Sequence, residues 1–353
     1  MTALSGLRAV RRPVRRPTMA DVAAEAHVSI KTVSRVVNRG PGVRPDTAER
    51  VRAAIERLGF RTTGPEARSR VHTVGLVVET LAGPFSAQIA AAVERETRLH
   101  GYNLITVSAE RSAAPDRRLL HDLAARCVDG LIVVPAGEAA RTESQVAGSG
   151  IPLVYLGRPA RGAADAVLSD NQGGVRGAVE HLVAHGHRHI GFLGGAPPRW
   201  TARQRRDAFV HTHQALGLPG TPRVAMGPHT RDSLVHALRT WSRPTTSATV
   251  TAVIAGDNRV TLLALYVLRG LTRPVSLVGY DDIELADLIE PSMTVVHQDP
   301  AALGQKAAQQ LFSRLRGDRT PPQTFVLPTR LIVRASSRRR PEADQEPGRN
   351  PER

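Results

Sequence analysis

The sequence predicts an all-α helix-turn-helix headpiece followed by an α/β core of two doubly wound parallel-sheet lobes. Three observations carry that expectation. Residues 18–58 contain three short runs of helical apolar periodicity, each bounded by capping or breaking residues. From Thr73 onward, short apolar runs alternate with helical patterns, as parallel sheets wound on both faces require. The chain's 353 residues exceed one ordinary domain, and residues 73–336 suffice for two lobes.

The charge arithmetic gives the headpiece its meaning. The chain carries 48 Lys+Arg against 32 Asp+Glu, a formal net charge of +16, and only Lys31 and Lys306 are lysines. Residues 1–70 hold 15 basic and 6 acidic side chains, a net of +9, while the remaining residues hold 33 and 26. An ordered basic module points to nucleic acid. Residues 1–17, with Arg8, Arg11, Arg12, Arg15 and Arg16, read as a flexible basic arm, and no apolar segment follows them as a signal peptide would need. No apolar run approaches the roughly 20 residues of a membrane span. The single Cys127 excludes an intramolecular disulfide framework and a multi-Cys zinc site, and reads as a small core residue. The expected setting is the cytoplasm.

Thr18 is a possible N-cap for the first helix, with Asp21 in its first turn and Met19, Val22, Ala23 and Ala26 on one face. His27-Val28 interrupts, and Ser29 offers the next N-cap for a helix reaching Asn38. There Val33, Val36 and Val37 face inward, and Ile30, Lys31, Ser34 and Arg35 outward. Arg39-Gly-Pro-Gly42 ends it. Pro45 starts a third helix striped by Val51, Ala54, Ile55 and Leu58. Two short helices joined tightly and braced by a third make a helix-turn-helix DNA-binding domain over residues 18–61, whose second helix fits the major groove. A generic three-helix bundle without a DNA role is the bland alternative.

The run from Thr18 to Asn38, with Met19-Ala-Asp-Val-Ala23, Ala26-His-Val-Ser29 and Thr32-Val-Ser-Arg-Val-Val-Asn38, resembles the DNA-binding headpiece of the LacI/GalR family of bacterial transcription regulators. The resemblance implies that Ser29, Thr32, Ser34 and Asn38 contact phosphates or cap, and that Ile30, Lys31 and Arg35 read bases. His27 stands where the family has Gly in the turn, and His tolerates a positive φ better than most residues. Residues 62–72 form an atypical hinge. Ala67-Arg68-Ser69 keeps the family register, but Arg70 replaces the Leu that wedges into the minor groove. Two readings stay open: Arg70 enters a narrow minor groove, or no residue intercalates.

In the core, Val74–Val78, Leu104–Val107, Leu131–Val134, Leu153–Leu156, Ile190–Leu193, Ala252–Ala255 and Val275–Val278 read as buried strands. Phe85–His100, Gly173–His185 and Arg203–Leu216 read as helices between them. Glu79-Thr-Leu-Ala-Gly-Pro84 is no dinucleotide loop, no Walker loop occurs, and no catalytic constellation stands out, so no enzyme and no cofactor are expected. His185, His187 and His189 alternate without acidic or Cys partners, which argues against a metal. The family resemblance continues through Asp170-Asn171, Gly186-His187, Gly194-Gly195, Gly279-Tyr-Asp-Asp282 and Ala302-Leu-Gly-Gln305, which are similar to its periplasmic-binding-protein-like core.

That likeness implies three crossings between lobes, near Leu168, His297–Gln298 and Leu327. It places the N-lobe at about 73–168 and 299–326 and the C-lobe at about 169–297 and 327–336. By its Arg-, Glu- and Pro-rich composition, the stretch 337–353 reads as a disordered tail. The likeness also implies a cleft formed by Phe85, Arg205, His229, Asp257 and Asp281, with donors, acceptors and an apolar face for a sugar or polyol effector. Gly256 and His229 depart from the family pattern. The expected protein is a regulator, repressing through a pseudo-palindromic operator in double-stranded DNA, as a homodimer or tetramer. A sugar-binding module with degenerate DNA reading is the alternative.

Overall fold

A computed structural model describes residues 18–37, 40–58, 72–109, 123, 128–134, 150–160, 162, 164–241, 249–271 and 273–339. The basic arm, Asn38, hinge residues 62–71 with Arg70, Cys127 and residues 340–353 lie outside the described residues. The chain divides into two compact units, residues 1–71 and 72–353.

The first unit contains α1 (Met19–Glu25), α2 (Ile30–Val37) and α3 (Pro45–Leu58). A reciprocal capping box starts α1: Thr18 N–H donates to the Asp21 carboxylate at 2.7 Å, and Asp21 N–H donates to Thr18 Oγ1 at 3.3 Å. His27 takes a positive φ of 51°, which turns the chain between α1 and α2. Ser29 Oγ then accepts from Thr32 N–H at 3.1 Å, satisfying an orphan donor of α2. Val22, Ala23, Ala26, Val33, Val51 and Ala54 form the buried centre, and Met19, Val36, Val37, Ile55 and Leu58 pack around it.

The second unit holds two sheets. Lobe 1 comprises β1 (Thr73–Val78), α4 (Pro84–Leu99), β2 (Asn103–Ser108), β3 (Gly130–Val133), β4 (Leu153–Leu156) and β5 (Asp165–Ser169). Lobe 2 follows with α5 (Asn171–Ala184), β6 (Ile190–Gly194), α6 (Trp200–Ala215), β7 (Arg223–Met226), α7 (Arg231–Trp241), β8 (Ala252–Ala255), α8 (Asn258–Leu268), β9 (Ser276–Tyr280) and β10 (Thr294–His297). The chain then returns to lobe 1 as α9 (Pro300–Leu315) and β11 (Thr324–Leu327), and ends in lobe 2 as β12 (Arg330–Ile332). Strand orders are β11-β5-β4-β3-β1-β2 and β12-β10-β9-β8-β6-β7.

Period-two alternation explains why both faces of each sheet are covered. On β1, Val74, Leu76 and Val78 enter one apolar cluster with α4 and α9, while Val77 enters the opposite one. On β8, Ala252 and Ile254 face α5 and α6, whereas Val253 and Ala255 face α7 and α8. Gly304 lets α9 lie close on α4, because a Cβ there would stand 2.8 Å from the Ile89 carbonyl oxygen. Asp165, 2% exposed, receives Arg314 Nε at 2.7 Å, Arg314 Nη2 at 2.8 Å and Gln323 N–H at 2.7 Å, so α9 is fastened to β5. Burial alone raises its pKa, but these hydrogen bonds more than offset that and hold the carboxyl below its ordinary value.

The paired strands run parallel except β12, which runs antiparallel to β10. The reason is connectivity: β10 leaves lobe 2 at the crossing, and β12 enters it there. The crossing segments are tied together: Asp170 N–H donates to Leu327 O at 2.8 Å, Thr329 Oγ1 donates to Asp170 O at 3.2 Å, and Ser169 Oγ donates to Gln298 Oε1 at 2.6 Å. One expectation needs correction. Residues 337–339, assigned by sequence to a disordered tail, close lobe 2: Ser337 is fully buried, and Ser276 Oγ donates to Arg338 O at 2.8 Å. Hydroxyl groups at Ser336 and Ser337 match polar groups on β9, β10 and α5, which composition alone did not reveal.

Candidate nucleic-acid interface and inter-lobe cavity

Helix α2 has one face fixed by burial of Val33 and another left free. Ile30 is 54% exposed, and Lys31 and Arg35 are exposed, all within the first two turns. Large apolar and cationic side chains held outward on a short, well-anchored helix suit the floor and rims of a major groove. Thr32 and Ser29 pair through their hydroxyls at 2.9 Å, and Ser34 is half-buried. The described part of the headpiece thus brings Ile30, Lys31 and Arg35 onto one surface, with Ser29 and Thr32 organising its start.

In the core, the carboxyl ends of both sheets meet at the crossings, where doubly wound folds place their ligands. A cavity of about 440 Å³ lies there, within the range of small-molecule sites. It is lined by residues following β1 (Glu79, Thr80), β4 (Gly157, Arg158), β8 (Gly256, Asp257), β9 (Asp281) and β10 (Gln298), and by the starts of α4 and α6. Phe85, Arg205, Asp257 and Asp281, singled out from sequence, all line it.

Arg205 organises the floor. It is 4% exposed, its Nε donates to Asn171 Oδ1 at 2.7 Å, and its Nη1 donates to Gly256 O at 2.8 Å. Its guanidinium carbon lies 3.6 Å from the Tyr280 ring centroid, a close cation–π contact. Gln298 links the pieces: its amide donates to Asp281 Oδ1 at 2.6 Å and its carbonyl accepts from Ser169 Oγ at 2.6 Å. Ser169 and Gln298 sit on separate crossings, so this network ties the crossings to the cavity. Burial pushes the Asp281 carboxyl up, while the neighbouring Arg205 charge and the Gln298 hydrogen bond pull it down. Asp281 also takes a positive φ of 65°, a conformation uncommon outside Gly and turn-forming residues.

Asp257 caps α8, accepting from Val260 N–H at 2.8 Å. Gly195 makes room for it, because a Cβ there would stand 2.3 Å from Asp257 Oδ2. Gly256 has an equally steric cause: a Cβ would meet the Phe192 ring at 2.9 Å and the Leu193 carbonyl oxygen at 3.2 Å. Four arginines (Arg158, Arg199, Arg205, Arg259) and three carboxylates (Glu79, Asp257, Asp281) occur in the described lining.

His229 is not brought to this cavity. Its Nε2–H donates to Gly194 O at 2.9 Å, fastening the segment after β7 to β6. β7 is the edge strand of its sheet, so the chain following it lies outboard of the strand ends that form the cavity. Residues that sequence reasoning did not assign to the cleft include Glu79, Asn171, Arg199, Trp200 and Gln298. Asn171 stood in a recognised motif and Glu79 directly follows a buried strand, but their convergence requires the crossings. Among the described residues, no group of three or more His, Cys, Asp or Glu is placed to hold a metal. His187 is instead buried with Nδ1 2.9 Å from Thr251 Oγ1, and burial pushes its pKa down to about 4. No described helix is long and apolar enough to cross a membrane.

Residues 18–63 match the family model described as bacterial regulatory proteins, lacI family, and residues 179–337 match a periplasmic binding protein-like domain. Over 339 residues, 91% of this chain and 98% of the relative, the sequence is 34% identical to the HTH-type transcriptional regulator CelR of Thermobifida fusca. The chain belongs to the LacI family. Among solved structures, this LacI-family chain is similar to a complex of CelR with cellobiose, with 33% identity, a TM-score of 0.66, and coverage of 91% of this chain and 100% of that one. It is also similar to the lac repressor dimer bound to operator and the anti-inducer ONPF, with 26% identity, a TM-score of 0.68, and coverage of 92% and 100%. It is therefore a transcriptional regulator with a helix-turn-helix domain and a periplasmic-binding-protein-like core, and its relatives are named as regulators, not as enzymes.

Proposed function

We propose that this LacI-family regulator is a cytoplasmic repressor that binds a pseudo-palindromic operator as a homodimer and is controlled by a sugar-like effector in the inter-lobe cavity. The observation that carries the DNA half is the outward set Ile30, Lys31 and Arg35 on α2, whose opposite face is locked by Val33. Arg35 suits a bidentate pair with guanine, Lys31 donates to guanine acceptors, and Ile30 offers apolar contact to a thymine methyl. Arg35→Ala is expected to lower operator affinity by about 1–3 kcal/mol, as loss of one bidentate base contact does, while nonspecific binding persists. Footprints that keep the same site at the same protein concentration would sink this assignment.

Arg205, Asp257 and Asp281 offer donors and acceptors to hydroxyl groups, and Phe85 an apolar face, which suits a polyhydroxyl ligand. The likeness to the cellobiose complex supports the same class. Effector control follows if the ligand favours one arrangement of the lobes, because the crossings carry the cavity network. Exposed apolar residues support the dimer. Leu262 and Tyr266 on α8 are 49% and 57% exposed, and Leu285 and Leu288, on a segment whose Ala286 shares an apolar cluster with α8, are 60% and 81% exposed.

A further inference from the structure

One ion pair in the cavity wall joins the lobes. Glu79 directly follows β1 in lobe 1, Arg199 is the N-cap of α6 in lobe 2, and Arg199 Nη2 donates to Glu79 Oε1. Both side chains are largely withdrawn from solvent, at 19% and 27% exposure. The next residue, Trp200, lines the same cavity and packs against the lobe 1 cluster containing Val77, Leu131 and Tyr155. The pair is thus held at a set position between the lobes, unlike a loose surface contact.

We propose that Glu79 is a specificity-determining residue: by occupying Arg199 it tunes the cavity to an uncharged polyhydroxyl ligand and against an anionic one. The inference rests on the reading of the cavity as a sugar-effector site. A guanidinium fork matches carboxylate and phosphate oxygens, so an unoccupied Arg199 would attract an anion. The start of α6 reinforces that tendency, because it faces the cavity without a side-chain cap. With Glu79 in place, an anionic ligand must displace its carboxylate and leave two negative groups together in a partly dry wall. A neutral polyol needs no such displacement. Discrimination therefore comes from repulsion of the wrong ligand as well as attraction of the right one.

The test is calorimetric titration of the full chain, of Glu79→Gln, and of the Glu79→Gln/Arg199→Gln double variant. Two probe pairs are used: cellobiose with cellobiouronic acid, and ribose with ribose 5-phosphate. The wild type is expected to bind the neutral member of at least one pair tenfold or more tighter than its anionic partner. Glu79→Gln should move that ratio at least tenfold toward the anion, and the double variant should cancel the move. A ratio within twofold of wild type in Glu79→Gln, or a wild-type preference for the anion, overturns the inference. If neither member of either pair binds the wild type, the sugar-site reading falls and this inference with it; binding with an unshifted ratio overturns only this one. Thermal melting without ligand reports folding. If Glu79→Gln melts far below wild type, the reversed pair Glu79→Arg/Arg199→Glu serves instead, with neutral preference expected to persist and anion preference overturning the proposal.

Discussion

Replacing Arg205 by alanine tests whether the cavity floor and the inter-lobe crossings are one unit. The side chain is 4% exposed and makes two short hydrogen bonds, to Asn171 at 2.7 Å and to Gly256 O at 2.8 Å, besides its contact with the Tyr280 ring. Truncation leaves both acceptors without this donor in a buried site and removes a positive charge that favours the ionised Asp281. Each charge-assisted hydrogen bond is worth about 1.5–3 kcal/mol, and a desolvated cation–π contact about 2 kcal/mol. These effects share one residue and do not add, so the figure for breaking a buried charged network, about 3–5 kcal/mol, is the working estimate. For a unit of this size, each kcal/mol lowers Tm by about 2–4 °C, giving a drop of roughly 6–20 °C. The assay is thermal unfolding of the full chain beside Arg205→Lys, which keeps the charge but loses the planar fork and should fall between the two. A drop under about 3 °C in Arg205→Ala would refute the reasoning, since the buried bonds would then be replaceable by water or by repacking.

Three further outcomes are expected. His27→Gly should stabilise the headpiece by up to about 1 kcal/mol in urea unfolding, and His27→Val should destabilise it, because a φ of 51° costs Gly nothing, His a little and a β-branched residue most. His187 stays neutral in the fold down to a pKa of about 4, whereas in the unfolded chain it takes a proton below about pH 6.5. Stability should therefore fall as pH drops from about 6.5 to about 4, by up to roughly 3 kcal/mol for this residue. His187→Gln should flatten that window in chemical denaturation; an equally steep loss in the variant would assign it to other groups. Tyr266→Glu with Leu288→Glu should give a monomer in light scattering and weaken operator binding while the monomer stays folded by circular dichroism, since both side chains are exposed in the single chain.

Much of the fold was legible because burial imposes a period on sequence. Val74, Leu76, Val78 and Ile190, Phe192 stand out as alternating apolar sets bound for one face. β7, β11 and β12 carried a weaker signal, since they lie at or next to sheet edges and bury less of their side chains. In the headpiece, local rules sufficed: a capping box at Thr18, a cap at Ser29 and three apolar stripes describe the helices fully. The cavity was legible only in part. Phe85, Arg205, Asp257 and Asp281 line it, but His229 turns to Gly194, and Glu79, Arg199 and Gln298 are drawn in from distant segments.

By itself, the sequence determined that this chain pairs a basic helix-turn-helix with two parallel-sheet lobes, because helix periods, strand periods and charge are local properties. It also presented Ile30, Lys31 and Arg35 on an outer helix face, since a fixed inner stripe leaves only one outer face. Tertiary structure alone decided which carboxylates and guanidiniums meet. Asp281 meets Gln298 because β9 and β10 pair side by side in one sheet, and Glu79 meets Arg199 across 120 residues because the crossings bring the carboxyl ends of two sheets together. Pairings of that kind depend on topology, which no local pattern encodes.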